Sequence, residues 1–273
     1  MSVYRKRARV SNIVELLRAK MQEGFFYYTQ VVRKKHDSCG KFVICATPRS
    51  GSTLLVHMLN FHPSIHCEFE VLRSRPLFPT MYLEGRCASL KEKQVYGCKI
   101  MVHQITDLRY ASSRDFLGGL NRRGWKIVVL NRRNIFMQAI SSCVARVTGR
   151  WTSTAGAAPQ TPEPVSIEYE YLLKKIEDQE RWTSHQKSLL EGVPYLECVY
   201  EDDLLESGYH QKTADRIFAY LDLSFVPIRP HLERLLNKPL GELIENYSEI
   251  RDKIKRTRYA GYLVDCSYGE RYL

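Results

Sequence analysis

KFVICATPRSGSTLLVHMLN, residues 41–60, decides the fold. Its apolar run at 41–47 reads as a strand, and Leu54, Leu55, Met58 and Leu59 recur behind it at helical spacing. PRSGST lies between the two. A strand, a tight loop and a helix in that order make a phosphate cradle: Gly51 lets the backbone approach, successive N–H groups point inward, and the helix N-terminus adds partial positive charge. Set against the pattern GxxxxGK[ST], Ala46 stands at the first glycine and Ser52 at the lysine. A triphosphatase needs that lysine on its β and γ phosphates and a hydroxyl on Mg²⁺. Here the strong cation of the loop is Arg49, whose fork neutralises a bridging oxygen and a terminal group without a metal.

Outward from this stretch, short apolar runs at 94–101, 125–131 and 195–200 alternate with helical patterns. Phe136, Ala139, Ile140, Cys143 and Val144 put a helix over 134–144. That alternation predicts a P-loop-containing three-layer α/β/α fold with a central parallel sheet. Residues 148–164, rich in Thr, Ser, Gly, Ala and Pro, read as a long loop, the kind that covers sites. Ser166 is placed to cap a long charged helix running to about 190. From 227 the chain reads as helical, then basic at Lys253, Lys255, Arg256 and Arg258. At the other end, Ser11, Ile13, Leu16, Leu17 and Met21 predict a helix over 11–28 with an aromatic patch at 25–28. The expected division is a helical extension over 1–36 and one α/β domain over 37–273.

With 273 residues, 44% of them hydrophobic, the chain has enough apolar material for a proper core. Its net charge of +11 calls for an anionic partner: a nucleotide, a nucleic acid, a membrane surface or an acidic glycan. No RNA or DNA motif appears and the basic residues are dispersed, so no nucleic acid is expected. Eight cysteines occur without a CxxC or a zinc spacing, several within apolar runs, which fits free thiols in a reducing cytosol. No signal-peptide core and no run of membrane-spanning length is present, so the expected location is cytoplasmic.

Four stretches in chain order, RSGSTLLV at 49–56, EFE at 68–70, GCKIM at 97–101 and TGRW at 148–151, resemble the sulfotransferases, most closely the bacterial glycan and glycolipid enzymes of the trehalose sulfotransferase type. The likeness spans about 41–260. It implies that 3′-phosphoadenosine 5′-phosphosulfate is the co-substrate, with Arg49, Ser50, Gly51, Ser52 and Thr53 around its 5′ phosphosulfate and no metal. Family members carry an arginine and, eight residues on, a serine on the 3′ phosphate; Arg133 and Ser141 match, whereas Arg132 is one position off that register. Lys255, Arg256 and Thr257 are the counterparts of a basic segment that closes over the same phosphate. In the trehalose-type relatives the base is a glutamate just after the first helix. Glu68 falls there with one extra residue in the loop, which leaves Glu70, His103 and His66 as rivals. Lys99 matches a family lysine that acts on the sulfuryl or leaving oxygen. The acceptor implied is a small molecule, a carbohydrate or glycolipid hydroxyl. A homodimer and a peripheral membrane contact stay open, as do a P-loop kinase or triphosphatase and a non-catalytic nucleotide-binding relative.

Overall fold

The structure is a computed structural model describing residues 20–32, 40–90, 95–108, 115–151, 163–229 and 239–263. Five strands form one sheet: β1 (Lys41–Ala46), β2 (Ile65–Glu68), β3 (Val95–Met101), β4 (Trp125–Asn131) and β5 (Leu196–Val199). All pairings are parallel, in the order β2-β3-β1-β4-β5. β1 is therefore central, with Ala46 level with Met101 on one side and Leu130 on the other. The connection leaving β1 emerges where the strand order turns from one side to the other, the crevice where open parallel sheets bind ligands.

Alternation along β1 builds two cores. Phe42, Ile44 and Ala46 pack with Leu55, Met58 and Leu59 of α2 (Ser52–Leu59) and with Ala214, Ile217 and Phe218 of α8 (Ser207–Tyr220). Val43 and Cys45 face the other layer, among Leu83 of α3 (Pro79–Ala88), Ile105 of α4 (Val102–Thr106), Leu117 and Leu120 of α5 (Phe116–Arg122) and Leu189 of α7 (Tyr169–Leu189). A third cluster joins α6 (Ile135–Thr148) and α7 to α9 (Leu240–Leu243) and α10 (Tyr247–Ile254). Helices thus cover both faces, as the alternation predicted.

Strands 41–47, 94–101 and 125–131 stand within a residue of their expected bounds. β5 stops at Val199 because Tyr200–Leu204 winds into a wide turn closed by Leu205 N–H donating to the Tyr200 carbonyl at 2.7 Å. β2 was not anticipated: four residues at the sheet edge, IHCE, with His66 exposed, are too few to show a period. Ser166 does not cap α7, which begins after Glu168, since Val165 instead bridges to Ile244. Six cysteines among the described residues are free and buried.

Residues 20–32 are helical and form the described part of α1. This helix packs on α3 so closely that a Cβ at Gly85 would lie 1.9 Å from the Phe26 carbonyl oxygen. The division expected between 36 and 37 lies outside the described residues. No helix among the described residues is long and apolar enough to cross a membrane.

Candidate functional site

The loop after β1 is shaped by two left-handed residues, Arg49 at φ 64° and Gly51 at φ 90°. A side chain at 51 is excluded twice over: by that φ, and because a Cβ would lie 2.6 Å from the Tyr200 ring. Gly51 also caps α2 without any side-chain hydrogen bond, leaving the first N–H groups of the helix facing the loop. Ser50 is fully buried and its hydroxyl donates to the Thr47 carbonyl at 2.8 Å, so this side chain braces the turn. Ser52 is buried too, at the first helical position.

Two glutamines hold the turn from the helical layer. Gln138 of α6 donates to Thr47 Oγ1 (2.8 Å) and the Pro48 carbonyl (2.6 Å), and Gln179 of α7 donates to the same carbonyl at 3.2 Å. Both side chains are fully buried. These braces offset the cost, about 1–2 kcal/mol, of holding a non-glycine residue such as Arg49 in the left-handed region.

Arg49 reaches across the crevice. Its Nε donates to Ser141 Oγ on α6 at 3.0 Å and its Nη1 to the Trp151 carbonyl at 2.5 Å. The loop and the serine expected on the 3′ phosphate, 92 residues apart, are thus in direct contact. Burial, and then the neighbouring Arg132 guanidinium, bring the Arg49 pKa down to about 10. Arg132 Nη1 donates to the Arg49 carbonyl at 3.0 Å while its guanidinium lies 4.3 Å over the Tyr200 ring. An anion between these two arginines would relieve their repulsion.

The two arginines after β4 therefore separate. Arg132, one position off the family register, faces the loop; Arg133 is more than half exposed and makes a two-pronged ion pair with Asp202 at 2.5 and 2.6 Å. Glu201 accepts from the backbone N–H groups of Arg133 (3.0 Å) and Asn134 (3.1 Å). The turn at 200–204 thus organises this edge, a role the sequence reading missed: the strand read over 195–200 takes in only its first residue, Tyr200. Lys255 pairs with Asp252 at 3.2 Å at the exposed end of α10, beside an equally exposed Arg256.

On the β3 side, Lys99 is almost completely buried, with Nζ 3.1 Å from Glu70 Oε1, 3.4 Å from Thr53 Oγ1 and 5.5 Å from the centre of the Phe69 ring. Burial holds its pKa below the usual lysine value, partly offset by Glu70. Glu70 itself sits in the left-handed region, φ 40°, at the start of a 3-10 turn. Glu68, two residues earlier, is otherwise engaged. Arg86 donates to both its oxygens at 2.6 Å, and the Tyr96 hydroxyl donates at 2.6 Å. Burial raises the Glu68 pKa, but these bonds outweigh it and hold the carboxyl below its ordinary value. His66 stands 3.7 Å from Glu68. His103 lies beside Trp182, and burial lowers its pKa against the pull of Glu70 and Asp107. Lys99, Glu70 and Thr53 thus converge beside the loop, while Glu68 belongs to a network with α3.

No group of three or more His, Cys, Asp or Glu side chains among the described residues is arranged to hold a metal ion. No family model matches the chain. It is 27% identical over 248 residues to Nodulation protein H of Rhizobium tropici, covering 81% of this chain and 92% of that one. Nodulation protein H of Rhizobium meliloti (strain 1021) is 23% identical over 252 residues, with 81% and 94% covered. In fold the chain is similar to the crystal structure of a sulfotransferase from Alicyclobacillus acidocaldarius, with a TM-score of 0.51 and 13% identity over 86% of this chain and 97% of that one. The parallel sheet with an arginine loop at its centre is thus the fold of that sulfotransferase, and along most of its length the chain is similar in sequence to the two nodulation proteins.

Proposed function

We propose that the chain moves a sulfuryl group from 3′-phosphoadenosine 5′-phosphosulfate to a hydroxyl of a carbohydrate or glycolipid, with Glu70 as the base. The observation that carries the donor is the Arg49–Ser141 hydrogen bond. It supports a single anion-binding crevice with the 5′ phosphosulfate at the loop and α2 N-terminus, and the 3′ phosphate at Ser141 and the arginines after β4. Arg133 would leave Asp202 to reach that phosphate, and Lys255 and Arg256 would close over it from α10.

Transfer is an in-line displacement at sulfur. The acceptor oxygen forms the new S–O bond as the bond from sulfur to the bridging phosphate oxygen breaks, and the acceptor proton passes to a carboxylate. Lys99 and Arg49 take up charge on the departing phosphate, helped by the loop N–H groups. Sulfuryl oxygens at the loop would draw Lys99 away from Glu70, freeing that carboxylate for the proton. Glu68 is the weaker candidate because its three hydrogen bonds favour the form that refuses a proton.

Calorimetry with adenosine 3′,5′-bisphosphate and with ATP tests the donor: tight binding of the first alone is expected, and preference for ATP would overturn it. Transfer of labelled sulfuryl to a panel of sugars, glycolipids and phenols tests the acceptor. Donor binding with no transfer to any of them would indicate a non-catalytic relative.

A further inference from the structure

Beyond the transfer site, α1 carries an apolar stripe that nothing among the described residues covers. Met21, Phe25, Tyr28 and Val32 are spaced by four, three and four residues, so they share one face of the helix, and each is more than half exposed: 75%, 56%, 64% and 55%. Val31 widens the stripe at 74%. The opposite face is committed to the domain. Phe26 meets Tyr82 edge to face, Tyr27 meets Phe78, and Glu23 accepts from the Leu77 N–H at 2.7 Å. The helix is thus anchored with its apolar face outward.

Charge selects what meets that face. In the sequence, Arg18 and Lys20 precede the stripe, Arg33, Lys34 and Lys35 follow it, and Arg5, Lys6, Arg7 and Arg9 lie further upstream. The acids of this stretch are Glu15, Glu23 and Asp37, and Glu23 is buried, engaged by Lys20, Tyr27 and Leu77. A second copy would bring one basic stretch against another. An anionic lipid surface matches both features at once, because an aromatic and aliphatic stripe enters the headgroup boundary while flanking lysines and arginines meet the lipid phosphates.

We propose that α1 is an interfacial docking element that lays the Met21–Phe25–Tyr28–Val32 stripe into the surface of an anionic bilayer. Attachment of this kind is reversible and salt-sensitive, since each basic residue near the surface contributes roughly fivefold in affinity. It leaves the crevice outside β1 free, because the docking face points away from α3.

The full chain sedimented with vesicles of phosphatidylcholine mixed with phosphatidylglycerol, and separately with phosphatidylcholine alone, tests this. Expected is binding to the mixed vesicles only, weakening as salt rises. The double variant Phe25→Ser/Tyr28→Ser should lose about tenfold or more of that binding at an unchanged melting temperature. Met21→Gln/Val32→Gln provides the same reading should the first variant fold poorly. Absence of binding to the mixed vesicles overturns the proposal, as does binding that both variants retain, which would assign attachment to charge alone. A concentration-dependent dimer that these substitutions dissolve, without vesicle binding, would assign the stripe to a second copy.

Discussion

Glu68 accepts from both arms of Arg86 and from the Tyr96 hydroxyl, which favours its charged form and, on the proposed function, makes it the weaker base. Glu68→Gln should therefore leave transfer largely intact and reduce stability by about 1–3 kcal/mol, because Arg86 loses its partner. The sign in pH follows from the depressed pKa of Glu68. Its contribution is present above the ordinary carboxyl pKa near 4.5 and disappears as pH falls through the lower folded value. Melting curves of wild type and variant should differ at neutral pH and converge in acid. Glu70→Gln should instead lower kcat about 10²- to 10⁴-fold with unchanged affinity for adenosine 3′,5′-bisphosphate; wild-type turnover by this variant would remove Glu70 as base. Arg49→Ala should weaken bisphosphate binding roughly 100-fold by calorimetry. The sequence put Glu68 first by its resemblance to the family position and kept Glu70 as a rival because of the extra loop residue. The proposed order of the two rests on Arg86, eighteen residues downstream of Glu68 on a helix that the sequence reading did not find.

Elements with a strong period were legible, and those set by partners were not. β1, β3 and β4 read plainly because central parallel strands are apolar on both faces. β2 has four residues and an exposed histidine, and only pairing with β3 makes it a strand. The turn at 200–204 was invisible because its shape comes from acids that bind across space to Arg133, Arg216 and backbone N–H groups. The same holds for the glutamines of α6 and α7, which look like ordinary helix polar residues until Pro48 is placed against them. Gln138→Leu should loosen the turn, costing about 1–3 kcal/mol in stability and raising the Kd for the bisphosphate more than it changes kcat. An equal loss in both would indicate that Gln138 does not act through the loop.

For the whole molecule, a net charge of +11 together with the proposed donor crevice predicts donor association that slows with salt. Stopped-flow measurement of the on-rate at two ionic strengths checks this, a salt-independent rate being the contrary result. The contact between Gly51 and the Tyr200 ring carries the argument furthest. A local cradle, five residues between β1 and α2, is finished by a ring that lies some 150 residues further along the chain. A fragment ending before β5 would keep every loop residue and lack the surface against which the loop is moulded. On the proposed function, donor capture should therefore be coupled to closure of the sheet's last strand: bisphosphate at a hundred times its Kd should protect the whole chain against unfolding by about 2.7 kcal/mol, and the amides of the distant 196–204 stretch should exchange more slowly along with those of the loop.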